Sequence, residues 1–274
     1  MFTIFGGNGF IGSALVEYLH TKNIEVFVPE KEYQIESDVN LGHVIYCVGL
    51  TADFRTRLYD TVEAHVSYLN KILNGTRYES FVYLSSTRVY KRLKTNLATE
   101  EIDIPVNSNE SDDLYNISKL MGESVCLSVP NNNVKVVRLS NVLGLDFQSE
   151  NFFVSLVREA KQKGKIELNT GIHSSKDYIL ISDVIEILSK IYNGKERLYN
   201  LASGNNISTK EMLDKMHQHL KFTVTENSNN HFSFPGISIQ KLKSEFGFDP
   251  KNILNEVELI INKYSNENNN WHRK

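Results

Sequence analysis

Cysteine is nearly absent from this chain, with two residues in 274. Cys47 and Cys126 each lie inside an apolar segment. They read as small buried hydrophobes rather than a disulfide, which suits a reducing cytoplasm. Excess charge of one sign is also lacking: the formal net charge is −3, so neither a nucleic acid nor an anionic membrane is expected as a partner. No apolar run approaches the roughly 18 residues of a membrane span. Met1-Phe-Thr-Ile-Phe runs straight into glycines without a basic region or cleavage site, so no signal peptide is expected. The histidines, His217 and His219 included, are scattered without ligand spacing, and no metal site is expected. Internal repeats and flexible linkers are missing too.

What is present is an ordinary globular composition, 41% hydrophobic and 23% charged, with room for one large domain or two packed lobes. Apolar runs predict strands over residues 2–5, 25–28, 44–48, 81–85 and 135–139. Helical spacing predicts helices over 10–21, 54–73 and 115–128. That alternation implies an α/β fold with a parallel, doubly wound sheet. Residues 30–41 are too short and polar for the usual extra helix and strand, so the sheet is expected to be trimmed there. Further on, helices are expected over 151–164 and 182–192, the second capped by Ser182 or Asp183, and a strand over 177–181. Ser208-Thr-Lys-Glu211 has the capping-box pattern of a helix start. Residues 265–274 form a polar, frayed tail.

Gly6-x-x-Gly9-x-x-Gly12 directly follows the first strand and opens the first helix. There, Gly6 permits a tight turn, Gly9 lets backbone approach a pyrophosphate, and Gly12 allows close helix–strand packing. The helix N-terminus offers N–H groups to phosphate oxygens. A dinucleotide is therefore expected at this turn. Its 2′ position is normally read at the end of the second strand, where an acidic residue suits NAD and a basic one NADP. Glu30 points to the first and Lys31 keeps the second open.

Tyr115 and Lys119 stand four residues apart on one helical face, about 5–6 Å between Cβ atoms. An ammonium beside a phenol favours the phenolate and makes a proton donor usable near neutral pH. Alone, the pair also describes a solvated helix face. Upstream, Phe81-Val-Tyr-Leu-Ser-Ser-Thr-Arg-Val-Tyr90 ends a buried strand in hydroxyls, at the edge where parallel sheets bind ligands. Those hydroxyls also fit a plain loop cap.

The glycine turn, the Leu-Ser-Ser-Thr-x-Val-Tyr strand end and Tyr115-x-x-x-Lys119 resemble, in order and spacing, the extended short-chain dehydrogenase/reductase family, and within it the NAD-dependent epimerase/dehydratase branch acting on nucleotide sugars. Val44-Ile-Tyr-Cys-Val-Gly-Leu, Arg138-Leu-Ser-Asn141, the stretch from Lys176 to Asp183, and Leu198-Tyr-Asn-Leu-Ala-Ser-Gly204 resemble further blocks of that branch. The resemblance spans about residues 2–260.

It implies a Rossmann-type domain over residues 1–141, a smaller substrate lobe over 142–264 with parts returning to the sheet, and a homodimer built on a four-helix bundle of the two long helices. By position it implies Ser86, Tyr115 and Lys119 as catalytic residues, with Tyr115 and Lys119 also touching the cofactor. Gly6, Gly9, Phe10, Ile11, Gly12, Glu30, Lys31, Cys47, Val48, Gly49 and Leu84 would line the cofactor. Ser86, Thr87, Asn141 and Lys176 would meet the nucleotide sugar. Two departures stand out. The family's dehydratases carry an Asp-Glu pair after the catalytic hydroxyl, where this chain has Thr87-Arg88. The substrate-lobe arginine is replaced by Lys176, which keeps the charge but loses the bidentate fork. These leave a keto-sugar reductase, as in deoxysugar or surface polysaccharide biosynthesis, ahead of an epimerase with tightly held NAD. A non-catalytic dinucleotide-binding regulator is the third reading.

Overall fold

The structure is a computed structural model and describes residues 1–31, 33, 39–50, 53–144 and 152–263. The first half runs β1 (Phe2–Phe5), α1 (Phe10–Thr21), β2 (Val26–Phe27), β3 (His43–Tyr46), α2 (Leu58–Val62), α3 (Tyr68–Gly75), β4 (Ser80–Ser86), β5 (Leu97–Ala98), α4 (Asp113–Ser128) and β6 (Val134–Leu139). Then follow β7 (Asn141–Leu143), α5 (Phe152–Lys163), β8 (Lys165–Leu168), β9 (Ser175–Leu180), α6 (Ile181–Leu188), β10 (Leu198–Leu201), β11 (Asn206–Ser208) and α7 (Thr209–His217).

Six strands form one sheet in the order β10-β6-β4-β3-β1-β2, every pair parallel. Central parallel strands are covered on both faces and so read as continuous apolar runs. The pleat then sorts their side chains by twos. Ile4, Ile45, Val82, Leu84 and Val137 pack with Leu15 and Leu19 of α1 and with Val184 and Ile187 of α6. Phe5, Val44, Tyr46, Phe81, Tyr83 and Val136 face Leu69 and Ile72 of α3 and Cys126 of α4. Helices therefore cover both faces, as a doubly wound fold requires. A separate core gathers Leu143, Phe153, Val157, Ile166, Tyr178, Met212 and Ile260, all from beyond β6. β10 returns from that half of the chain to pair with β6.

Among the described residues β2 is an edge strand, the trimming expected beside residues 30–41, of which 32 and 34–38 lie outside the described residues. Both cysteines are free thiols. The tail at 265–274 also lies outside the described residues.

The helix expected over 54–73 is instead four pieces: a tight 3-10 turn at Asp53–Arg55, then α2, a π-type stretch Glu63–Ser67, and α3. The first break falls at Arg57, whose backbone leaves the helical region (φ −118°, ψ 59°), while the Asp53 carbonyl closes the turn before it on the N–H groups of Thr56 and Arg57. In the second, two tyrosine hydroxyls from the sheet claim helix carbonyls: Tyr46 donates to Ala64 at 2.7 Å and Tyr83 to His65 at 3.3 Å. The Tyr68 N–H reaches back five residues, to the Glu63 carbonyl.

Two smaller expectations change. α6 starts one residue early, after Leu180, and neither Ser182 nor Asp183 caps it. The Asp183 carboxylate is spent on the backbone N–H of Lys251, at 2.9 Å. The Ser208–Glu211 capping box is present as read.

Candidate active site

Ser86 closes β4 at the carboxyl edge of the sheet. Its hydroxyl oxygen accepts the backbone N–H of Arg88 at 3.2 Å and so caps the 3-10 turn Thr87–Arg92. Tyr115 lies in the first turn of α4 with Lys119 one turn later, and each is 4% exposed. The Ser86 hydroxyl lies on the Tyr115 side of the strand end and lowers that phenol. Lys119 Nζ donates to the carbonyl of Leu84 at 2.9 Å. The three expected catalytic residues are thus carried by a strand end and a helix start that are joined side by side by the Lys119–Leu84 bond.

Burial pushes the Tyr115 phenol above its ordinary value, opposed by the Ser86 hydroxyl and the charge of Arg88. Burial is likewise the largest influence on Lys119. It brings the ammonium down to about 7, while Glu123 and Cys47 pull the other way. This corrects the expectation that Lys119 lowers the phenol: the ammonium is turned to Leu84, and the cation acting on Tyr115 is Arg88.

Arg88, Phe54 and His65 were missed in the sequence. The Phe54 ring lies 5.2 Å from that of Tyr115, and the Arg88 guanidinium carbon sits 4.8 Å from the first and 5.3 Å from the second. His65, fully buried in the π-type stretch, sets its edge against Tyr115 at 5.3 Å. Its Nδ1 is 2.9 Å from the Ser118 hydroxyl, which itself donates to the Tyr115 carbonyl. Nδ1 therefore carries the proton, and Nε2 accepts the Leu50 N–H at 3.4 Å. Burial and the Lys119 charge hold this imidazole neutral, down to about 2. Arg88 was legible only as a missing acid, and His65 carried no signal.

On the cofactor side, Gly6 has φ +77°, and a Cβ there would meet the Cys47 carbonyl carbon at 3.0 Å. A Cβ on Gly12 would lie 2.2 Å from the Gly6 carbonyl oxygen. Gly9 caps α1 with no side-chain hydrogen bond, and the first turn holds no acidic residue. The leading N–H groups of a twelve-residue helix are thus left to an anion. Phe10 packs beside Gly144, and Ile11 against the α1–α6 core. Gly49 brings the end of β3 close to the catalytic helix: a Cβ there would sit 3.2 Å from both Lys119 Nζ and His65 Nε2. Cys47 and Val48 lead into it, and buried Leu84 lies beside them in the neighbouring strand β4. Glu30 and Lys31 are exposed beyond the end of β2.

Facing this, Thr87 is buried beside Ser86. Asn141, on β7, donates to the Asp177 carbonyl at 2.8 Å. Lys176, on β9, lies over the rings of Phe152 and Tyr178 at 5.1 and 5.6 Å. Burial lowers its ammonium and the charge of Arg88 lowers it further. Among the described residues no group of three His, Cys, Asp or Glu side chains is placed to hold a metal ion, and no helix is long and apolar enough to cross a membrane.

A doubly wound sheet with a glycine turn after β1 and a Ser–Tyr–Lys cluster at its carboxyl edge defines a dinucleotide-dependent enzyme fold. The chain belongs to the NAD dependent epimerase/dehydratase family, whose sequence profile matches residues 2–202. The cofactor is NAD or NADP, and the uncapped glycine turn fits its pyrophosphate. The chain is similar to a dTDP-4-dehydro-6-deoxyglucose reductase of Escherichia coli, 24% identical over 72% of this chain and 64% of that protein. It thus spans under two thirds of that relative's length. In fold it is similar to RMD from Pseudomonas aeruginosa complexed with NADPH (TM-score 0.78, 20% identity, covering 97% of this chain and 99% of that one). The UDP-glucuronic acid 4-epimerase of Bacillus cereus in complex with NAD is also similar (TM-score 0.78, 15% identity, 96% of each chain).

Proposed function

We propose that this chain is a reductase that converts a keto group of a nucleotide-linked deoxysugar to an alcohol at the expense of NADH or NADPH, in the cytoplasm. The observation that carries the reading is the residue pair after Ser86. Thr87 and Arg88 stand where a dehydration would need an acid and a base, while Ser86, Tyr115 and Lys119 suffice for ketone reduction. The similarity to a dTDP-4-dehydro-6-deoxyglucose reductase supports it.

A nicotinamide held at this site would supply the hydride. Ser86 hydrogen-bonds the sugar carbonyl oxygen, and Tyr115 gives that oxygen its phenolic proton, leaving a phenolate that water reprotonates. Lys119 holds the cofactor ribose and, through Leu84, the distance between helix and strand. Residues 142–264 supply most of the sugar-nucleotide contacts, with Asn141 and Lys176 at the diphosphate.

The test is to purify the protein, record whether nicotinamide is bound, then add NADH or NADPH with a dTDP-4-keto-6-deoxyhexose. Stoichiometric oxidation of the cofactor is expected. Bound NAD surviving purification, with interconversion of sugar epimers and no net oxidation, would make the chain an epimerase. Cofactor binding without turnover of any keto sugar would leave a regulator.

The working form is a homodimer. Leu58, Tyr59 and Val62 on α2 and Met121 on α4 are exposed large apolar side chains, and a two-fold pairing of these helices would cover them.

A further inference from the structure

We propose that Arg88 is a further positioning residue of this site: it holds positive charge over the Tyr115 ring, so that the phenol gives up its proton more readily than its burial alone would allow. The proposal rests on the reductase reading of the same site.

The geometry fixes Arg88 at both partners of the reaction. Its backbone N–H donates to Ser86 Oγ at 3.2 Å. That bond occupies one lone pair and leaves the Ser86 hydroxyl free to donate to a phenolate. The side chain turns back over the aromatic pair, 4.8 Å from the Phe54 centroid and 5.3 Å from that of Tyr115. It is held there by Nη1, which donates to the Asp112 carbonyl at 3.2 Å and to Asn116 Oδ1 at 3.4 Å. Asp112 and Asn116 flank Tyr115 in sequence, so the helix that carries the phenol also anchors the cation.

The other charges around Tyr115 are already engaged. Lys119 points to the Leu84 carbonyl. Asp113 is paired with Arg92 at 2.6 Å, and Glu123 with Arg138 at 2.7 Å. Asp112 is shared by Arg55 at 2.7 Å, Lys91 at 3.5 Å and Arg88 at 3.6 Å. From the π-type stretch His65 is neutral, and from β4 the Tyr83 phenol is pushed well up by burial. Lys176, on β9, is a second cation that Arg88 repels. Arg88 is the guanidinium lying against the Tyr115 ring, and a guanidinium stays charged where a buried ammonium does not.

When Tyr115 passes its proton to the sugar oxygen, the electron pair of the broken O–H bond stays on the phenolate. A cation within about 4–6 Å favours that charged form by roughly one pH unit or more. Arg88 is part-exposed, so the low end of that range applies.

Phenolate absorbance is titrated in the cofactor-free protein for wild type and Arg88→Gln, each read against the same chain carrying Tyr115→Phe, so that the difference isolates Tyr115. The transition is expected to rise by about one pH unit in Arg88→Gln, with Arg88→Lys between the two. The basic limb of kcat should move up with it. A Tyr115 transition that stays in place overturns the proposal. Should Arg88→Gln fail to fold, Arg88→Lys decides by the same reading, since an ammonium without the planar fork must still move the transition part of the way. The titration needs no substrate. A shifted transition in a protein that reduces no keto sugar sinks the reductase reading alone, and an unshifted one in an active reductase sinks only the role of Arg88.

Discussion

Lys119 donates to the carbonyl of Leu84 across 2.9 Å, and this one bond ties the helix bearing Tyr115 to the strand ending in Ser86. The same burial that makes the bond short of solvent brings the ammonium from 10.5 to about 7. Between those values the unfolded chain binds more protons than the folded one, so this group's contribution to stability rises with pH across the window. Below 7 both states are protonated and the cost of burying the charge is fully present. Lys119→Met removes that cost. In cofactor-free protein, urea unfolding should show the variant gaining on wild type most below pH 7 and least near 10.5. A difference independent of pH would contradict the assignment. Turnover should fall throughout.

Tyr115→Phe keeps the ring that packs on Phe54 and His65 but removes the transferable proton. Loss of a general acid typically costs about 10²–10⁴-fold, here expected in kcat with cofactor affinity nearly unchanged. Steady-state kinetics beside calorimetric cofactor titration separates the two, and an equal loss in both would point to a structural role.

Gly9 and Gly12 of the turn should respond differently. Gly9 has φ −84°, and a Cβ there meets only the Gly6 oxygen at 3.3 Å. Gly9→Val should therefore leave the fold while its branched side chain blocks the pyrophosphate, and calorimetry should show dinucleotide affinity sharply reduced. Gly12→Ala drives a methyl to 2.2 Å from backbone and should lower Tm before any question of binding arises. Gly9→Val with wild-type affinity would remove the turn from the cofactor site.

Behind Ser86 lies a buried ion pair. Glu123 takes Arg138 in a fork and also accepts the Ser85 hydroxyl, while Arg138 continues to the Tyr90 hydroxyl at 2.8 Å. Arg138→Met would strand a carboxylate inside the protein, a loss of about 3–5 kcal/mol. Chemical denaturation measures it, and a loss under 1 kcal/mol would mean that the carboxylate simply takes up a proton or water.

Tyr59 is 89% exposed on α2. Tyr59→Glu together with Met121→Glu should convert the expected dimer to a monomer in sedimentation velocity without lowering monomer stability. A wild-type monomer at micromolar concentration would refute the pairing outright.

The sheet was legible because its strands are nearly unbroken apolar runs, and β4 announces its own end by changing to Ser85 and Ser86. Ser86, Tyr115 and Lys119 were legible as candidates because Ser86 follows an apolar run and Tyr115 and Lys119 stand one helical turn apart. What sequence could not show was direction. Tyr115 and Lys119 share a helical face, yet the ammonium turns toward Leu84 and leaves the phenol to Arg88, a choice made by packing from β4. The helix at 54–73 was misread for a related reason: Tyr46 and Tyr83 lie far away in sequence, and only the folded sheet brings their hydroxyls to the carbonyls of Ala64 and His65. Asp183 reads as a cap locally, but Lys251 claims it.

The π-type stretch at Glu63–Ser67 has a further consequence. One extra residue per turn amounts to a single-residue insertion that the fold has absorbed, advancing everything after it by about 100° around the axis. α2 and α3 are thereby out of phase: α2 can show Tyr59 and Val62 to the outside while α3 turns Leu69 and Ile72 inward, with His65 at the seam. Deleting one residue there would leave the flanking sequence unchanged and rephase the helix, swinging the imidazole away from Ser118 and the Leu50 amide.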